Sequence, residues 1–192
     1  MDQKLVAWAR AVKARRRGAG PPPLWLFTDA ARMPDLAAVL AGLPRGLCGV
    51  VFRHDGVPGR PTLALAAIRL CRARRMPLSM AGDPRLARRL GVPCHLRGGR
   101  GRPAPGLQTS SAHTPAELRR ASRSARLVFL SPAFPTASHP GSVALGPARW
   151  AKLARPRRHF VCALGGVTGA SVRRLPRWVA GAGAIGALLP GG

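Results

Sequence analysis

The chain is poor in carboxylates. Six Asp and Glu stand against 32 Lys and Arg in 192 residues, a formal net charge of +26. The six acids are Asp2, Asp29, Asp35, Asp55, Asp83 and Glu117. So short a supply excludes chemistry built on clustered acids, such as EF-hand calcium loops and paired-acid glycosidase clefts. Tyrosine is absent and phenylalanine numbers five, and no zinc-finger or RNA-module signature occurs, which disfavours sequence-specific nucleic-acid readout. The four cysteines (48, 71, 94 and 162) form no C-x-x-C pair, and three lie in apolar runs. They read as small buried hydrophobes in a reduced setting rather than as a disulfide framework or a zinc site. No apolar run is long enough to span a bilayer, and the start, Met1-Asp2-Gln3, lacks an apolar signal core. The expectation is a soluble cytoplasmic protein.

What is abundant is arginine. Lysine occurs only at Lys4, Lys13 and Lys152. A charge of +26 attracts polyanions, anionic lipid or phosphorylated small molecules. The same excess follows from a composition dominated by Ala, Arg, Gly and Pro, and charge of that origin specifies no partner. Hydrophobic residues make up 46%, enough for a folded core.

Leu5, Trp8, Ala9 and Val12 recur at helical spacing, so Asp2 to Arg17 is expected to form a basic helix. Residues 18–23, glycine followed by prolines, end it. Residues 1–23 are therefore separated, as a basic helix and linker, from a domain over 24–192. Eight strand-like runs follow: 24–28, 46–54, 77–81, 93–96, 106–111, 126–130, 159–164 and 184–189. Helical stretches are expected at 35–43, 62–75, 83–90, 114–124, 145–154 and 170–179. Thr114-Pro115-Ala116-Glu117 is a capping box with proline at the first helical position. Strands separated by helices at this spacing pair in parallel through right-handed crossovers. Eight such units close a compact (β/α)8 TIM barrel, below the typical length of about 250 residues; a doubly wound open sheet is the alternative. The chain stops soon after its eighth strand, leaving the eighth helix missing or truncated. The N-terminal helix, or pairing of two copies as a homo-oligomer, would cover that flank.

In a barrel, function sits at the C-terminal ends of the strands. Those ends carry Asp29, Arg53, His54, Asp83, His95, Arg97, Ser111, His113, Thr136, Ser138 and Gly165-Gly166. The double glycine after strand seven can turn backbone N–H groups toward an anion at the next helix, a position where barrels often bind phosphate. Asp83 precedes Pro84 and reads equally as a helix N-cap.

Taken in order, these segments resemble the thiamine phosphate synthase family and its relatives, the thiazole tautomerases. The most specific pieces are Ser131-Pro132-Ala133-Phe134-Pro135-Thr136, similar to the family's GPVFPT, and Ala163-Leu164-Gly165-Gly166-Val167, similar to its AIGGI. Phe27-Thr28-Asp29, Val50-Val51-Phe52-Arg53, Gly82-Asp83, His95-Leu96 and Ser110-Ser111-Ala112-His113 support them. The resemblance implies a (β/α)8 barrel that joins hydroxymethylpyrimidine diphosphate to thiazole phosphate and releases pyrophosphate with the help of magnesium. Its partners would be phosphorylated pyrimidine and thiazole small molecules. By the same resemblance Arg53 and Ser111 meet the diphosphate, and Asp83 is the first magnesium ligand. Thr136 and Ser138 stand near the thiazole, and Gly166 beside Gly165 binds phosphate through backbone.

The sequence also departs from that pattern. Val51 replaces a glutamine, Asp55 a lysine, Gly82 an asparagine, His139 a lysine and Leu189 a serine. Arg100 falls where the second magnesium aspartate belongs, so the metal site is expected to be weakened. His113 matches the proton-shuttling histidine of the tautomerases, a role suited to imidazole. A metal-free isomerase and a non-catalytic barrel for phosphorylated metabolites are the alternatives to the synthase.

Overall fold

A computed structural model describes residues 1–17, 20–102, 106–136, 141, 143–155 and 159–191. Eight parallel strands close a barrel in sequence order, with the eighth pairing back to the first. They are β1 (Leu24–Phe27), β2 (Cys48–Phe52), β3 (Leu78–Ala81), β4 (Cys94–Arg97), β5 (Thr109–Ala112), β6 (Leu127–Leu130), β7 (Phe160–Leu164) and β8 (Gly181–Ala184). The helices are α1 (Gln3–Arg15), α2 (Leu36–Gly42), α3 (Arg60–Ala73), α4 (Pro84–Arg89), α5 (Pro115–Ser124) and α6 (Gly146–Leu153). The chain is thus a (β/α)8 barrel, although the β4–β5 connection holds no helix among its described residues.

Local chemistry starts four of the helices. Asp2, Asp35, Asp83 and Thr114 each accept a backbone N–H from the residue three positions on, satisfying one of the donors that a helix N-terminus leaves orphaned. The capping box closes as expected: Thr114 Oγ1 accepts from Glu117 N at 3.2 Å.

Helix α1 takes the place of the eighth helix. Its N-cap is tied to the segments after β7 and β8: Gly169 N donates to Asp2 Oδ2 at 2.6 Å, and Asp2 N donates to Ala187 O at 2.9 Å. At the other end Lys13 Nζ donates to Gly46 O, just before β2, at 2.9 Å. Leu5, Val6, Ala9 and Val12 are buried, and the first three join the core shared by the outer helices. Each large side chain so buried contributes roughly 1.5–3 kcal/mol.

The last two elements differ from expectation. The helix expected over 170–179 is one 3-10 turn, Ser171–Arg174, because Pro176 cannot continue a helix. The eighth strand is not 184–189 but Gly181–Ala184, and Gly186–Leu188 is another 3-10 turn. The apolar run Ile185 to Leu189 pointed to the wrong residues. The Gly-Ala strand has poor β-propensity, yet its neighbours demand small residues there. A Cβ at Gly183 would stand 2.7 Å from the Phe27 ring, and one at Gly181 2.5 Å from Pro23 O. Gly49 makes room for Trp25 in the same way, at 2.8 Å. Small residues on β2 and β8 thus admit the two aromatics that β1 sends into the barrel.

Inside the barrel, Trp25, Phe27 and Phe129 pack edge to face, with centroids 5.7 Å (Trp25–Phe129) and 4.7 Å (Phe27–Phe129) apart. His95 lies edge-on to Phe27 at 5.5 Å and closes this layer under the mouth. Cys48, Cys71 and Cys162 are free and buried, and burial pushes their thiols up to about 12. They stay protonated packing groups, as the sequence suggested. Among the described residues no helix is long and apolar enough to cross a membrane.

Candidate functional site

The C-terminal end of the barrel opens into a cavity of about 890 Å³. Strand ends from around the barrel contribute to it, so tertiary closure brings together residues far apart in the chain. Eight of the expected strand-end residues line it: Arg53, His95, Arg97, Ser111, His113, Thr136, Gly165 and Gly166. Ser138 and His139 lie outside the described residues. Asp83 does not line the cavity.

The β1–β4 side is charged. Thr28 Oγ1 accepts from Arg53 N at 2.8 Å and lies 2.9 Å from His54 Nδ1, which fixes the turn after β2. The Arg53 guanidinium sits 6.0 Å above the Phe27 ring and 3.8 Å from Asp29 Oδ2. Asp55 is the hub. Its Oδ2 accepts from Arg97 at 2.8 Å and its Oδ1 from Arg60 at 3.1 Å. Arg60 also donates to Ala81 O and lies 3.7 Å from Asp83 Oδ2, so one largely buried guanidinium joins the ends of β2 and β3. A side chain at residue 82 would collide with the Asp55 carboxylate, and Gly82 at φ +80° leaves that space open.

Sequence reasoning missed Arg60. It lies outside the strand-end positions, and Gly59 before it and Pro61 after it were the local hints of a helix start there.

Below this network, His95 Nδ1 lies 2.8 Å from Thr109 Oγ1, which in turn lies 2.8 Å from Ser79 Oγ. Burial, reinforced by the Arg53 and Arg97 guanidiniums, pushes the His95 imidazole down to about 3. Burial likewise lowers His54. Both rings are neutral at ordinary pH. His113 is exposed on the β5 side, where its backbone N donates to Glu117 Oε2 at 2.6 Å.

The β6–β8 side is built of backbone, glycine and hydroxyls. The two most specific motif segments pack on each other here. Ala133 N donates to Leu164 O at 2.8 Å, and Phe134 N to Gly165 O at 3.1 Å. Gly165 and Gly166 hold φ of +88° and +63°. A Cβ on Gly166 would press against Phe134 and the Pro135 carbonyl, so this approach requires glycine. Ser171 Oγ donates to Gly166 O at 2.8 Å and accepts from Thr168 N at 2.9 Å, which stiffens the turn from below.

The residues present do not fit a magnesium ion well. Asp83 Oδ1 caps α4 through Leu86 N at 2.9 Å, and its other oxygen faces Arg60. Asp55 is shared by two guanidiniums, and Asp29 Oδ1 is occupied by Ala31 N and Arg32 N. Among the described residues no group of three or more His, Cys, Asp or Glu side chains could hold a metal. A divalent ion asks for several free oxygen ligands, and the arginine beside each of these carboxylates has the ion's own sign of charge and competes for the same oxygens.

No protein-family model matches the chain, and no curated protein matches it either. Solved structures do. Thiamine phosphate pyrophosphorylase from Pyrococcus furiosus aligns with a TM-score of 0.71 at 19% identity, over 84% of each chain. The enzyme of that name from Bacteroides thetaiotaomicron aligns at 0.54 and 16% identity, over 86% of this chain and 83% of that one. A structure described as native KDPGal aligns at 0.58 and 15% identity, over 91% and 87%. The chain shares their barrel fold. At these identities the likeness is one of fold, and the chemistry has to be argued from the mouth itself.

Proposed function

We propose that the mouth binds phosphorylated pyrimidine and thiazole compounds and performs the thiamine phosphate synthase reaction. The observation supporting this reading is that one cavity of about 890 Å³ joins the cations Arg53, Arg97 and Arg100 to the Gly165-Gly166 turn. That volume lies within the usual range for small-molecule sites, roughly 300–1,000 Å³. In the reaction, the bond between the pyrimidine methylene carbon and the diphosphate oxygen breaks, and its electron pair leaves with pyrophosphate. The thiazole nitrogen supplies the pair for the new C–N bond. Charge grows on the departing diphosphate, where fixed guanidiniums lower the barrier without reorganising. Arg53, steadied by Phe27 and Asp29, and Arg97, held by Asp55, are suited to that task. The left-handed glycine turn suits the second phosphate through its backbone N–H groups alone, since a 3-10 turn stands where the sequence called for a helix N-terminus.

A second reading has its own support. His113 lines the cavity, and the donor set fits magnesium poorly, which favours a metal-free proton shuttle of the tautomerase kind.

The purified protein, incubated with hydroxymethylpyrimidine diphosphate and thiazole phosphate, is expected to yield thiamine phosphate and pyrophosphate. Arg53→Ala should weaken pyrophosphate binding about tenfold, the worth of a charge-assisted hydrogen bond. Folded protein that forms no product overturns the synthase reading. Isomerisation of the thiazole carboxylate phosphate, lost in His113→Ala, would establish the second. Binding of both compounds without turnover would leave a non-catalytic barrel.

A further inference from the structure

The six carboxylates all sit toward one end of the barrel. Asp29, Asp55 and Asp83 directly follow β1, β2 and β3, and Asp2, Asp35 and Glu117 lie at the starts of α1, α2 and α5. In a parallel barrel, strand ends and helix starts share the C-terminal face, where the cavity opens. The opposite face is formed by the connections that enter the strands. Those entering β1, β2, β3, β6, β7 and β8 carry Arg17, Arg45, Arg75, Arg126, Arg155 and Arg177, all exposed, and none carries an acid. Further exposed arginines stand in the last turns of α3 and α4.

Helix dipoles favour acids at helix starts and cations at helix ends, so some segregation is expected. Here the consequence is larger, because no carboxylate remains on the lower face to balance a ring of guanidiniums. At the edge of that face, on the flank toward α6, stands an aromatic, whose stacking partner Trp150 donates its indole N–H to Leu130 O at the end of β6. Trp178, in the connection entering β8, is 43% exposed beside Arg177. One of its faces stacks on the buried Trp150, with centroids 6.2 Å apart and rings 19° from parallel. A tryptophan fixed from behind, with the exposed Arg177 next to it in the chain, can receive a planar base on its other side.

We infer that the N-terminal face of the barrel docks single-stranded nucleic acid without sequence preference, its arginines meeting phosphates and Trp178 stacking a base. Net charge explains attraction to any polyanion; the acid-free ring explains where it lands. The face suits an anionic membrane less well, since surface-seated proteins insert a cluster of apolar side chains. Among the described residues the exposed large apolar side chains are Trp178 and Val143, and Val143 follows β6, toward the other end. This interaction is independent of the cavity and of any reaction there.

The test uses the full chain and a fluorescent single-stranded RNA of about 20 nucleotides and mixed sequence, read by anisotropy. Binding should weaken at least tenfold between about 50 and 200 mM salt, as release of several counterions requires. The triple variant Arg45→Glu, Arg75→Glu, Arg126→Glu should lose at least tenfold in affinity and flatten the salt slope. Its counterpart Lys4→Glu, Arg85→Glu, Arg119→Glu makes the same charge change in the first halves of α1, α4 and α5 and should lose less than about threefold. Trp178→Ala should lose about fivefold or more, with the slope unchanged, because stacking releases no counterions. Melting curves confirm that each variant is folded. No binding, equal losses in the two triple variants, or binding to phosphatidylserine vesicles in place of RNA would each overturn the proposal.

Discussion

The two halves of the mouth are built on opposite plans. From β1 to β4 the cavity wall is a network of ions in which Arg53, Arg60 and Arg97 are each anchored by a carboxylate. From β6 to β8 it is neutral, made of backbone, hydroxyls and a glycine turn. An ionic wall can hold a diphosphate strongly, but its own acids compete with the ligand for the same cations. A backbone wall has no such competition, and it depends on close approach instead. The charged half is therefore tuned by pairing and the neutral half by steric room.

The largest expected effect breaks the neutral half. Gly166→Ala would place a methyl group 2.8 Å from Phe134 atoms at a φ of +63°. Overpacking and left-handed strain together should cost about 3 kcal/mol, visible as an earlier chemical-denaturation midpoint. Pyrophosphate binding should fall with it.

Acid probes the charged half. His95 is held down to about 3, well below the value near 6.5 of an unfolded histidine. Between those values the unfolded chain binds a proton that the folded one refuses, so stability falls as pH drops. Between pH 7 and 5 this single site should remove about 2 kcal/mol. Lowered His54 acts in the same direction. Denaturation across that range should show the loss, and His95→Asn should abolish His95's share.

The smallest effect sharpens the contrast. Asp55→Asn removes the charge that occupies Arg60 and Arg97 while nearly keeping its shape. Pyrophosphate affinity, measured by calorimetry, should rise about threefold, the scale of a partly exposed ion pair. A weaker affinity would mean that Asp55 positions these arginines more than it competes with the ligand.

Much of this was legible beforehand, because the signals were local. Strands such as Leu24–Phe27 and Leu127–Leu130 are short apolar runs bounded by turns. Asp83-Pro84 and Thr114-Pro115 announce helix starts through chemistry confined to four residues. The eighth strand was not legible, since Gly181–Ala184 has no strand signal of its own and is specified by Phe27 and Pro23. Arg60 was hidden for the same reason: its partners Asp55, Ala81 and Asp83 converge only when β2 and β3 lie side by side. Asp83 divides the same way: its cap on α4 was legible from Asp83-Pro84, whereas the Arg60 guanidinium beside it was not.

The shortage of acids was fixed by the sequence alone, and with it the excess of +26. So were the alternation of elements that calls for a parallel sheet and the glycines at 165 and 166. Only the tertiary structure decided how those few carboxylates are used. Barrel closure set Asp29, Asp55 and Asp83 against arginines distant in the chain and left the opposite end without an acid. Charge balance is a property of composition, but pairing is a property of distance, and distance exists only once the strands have closed.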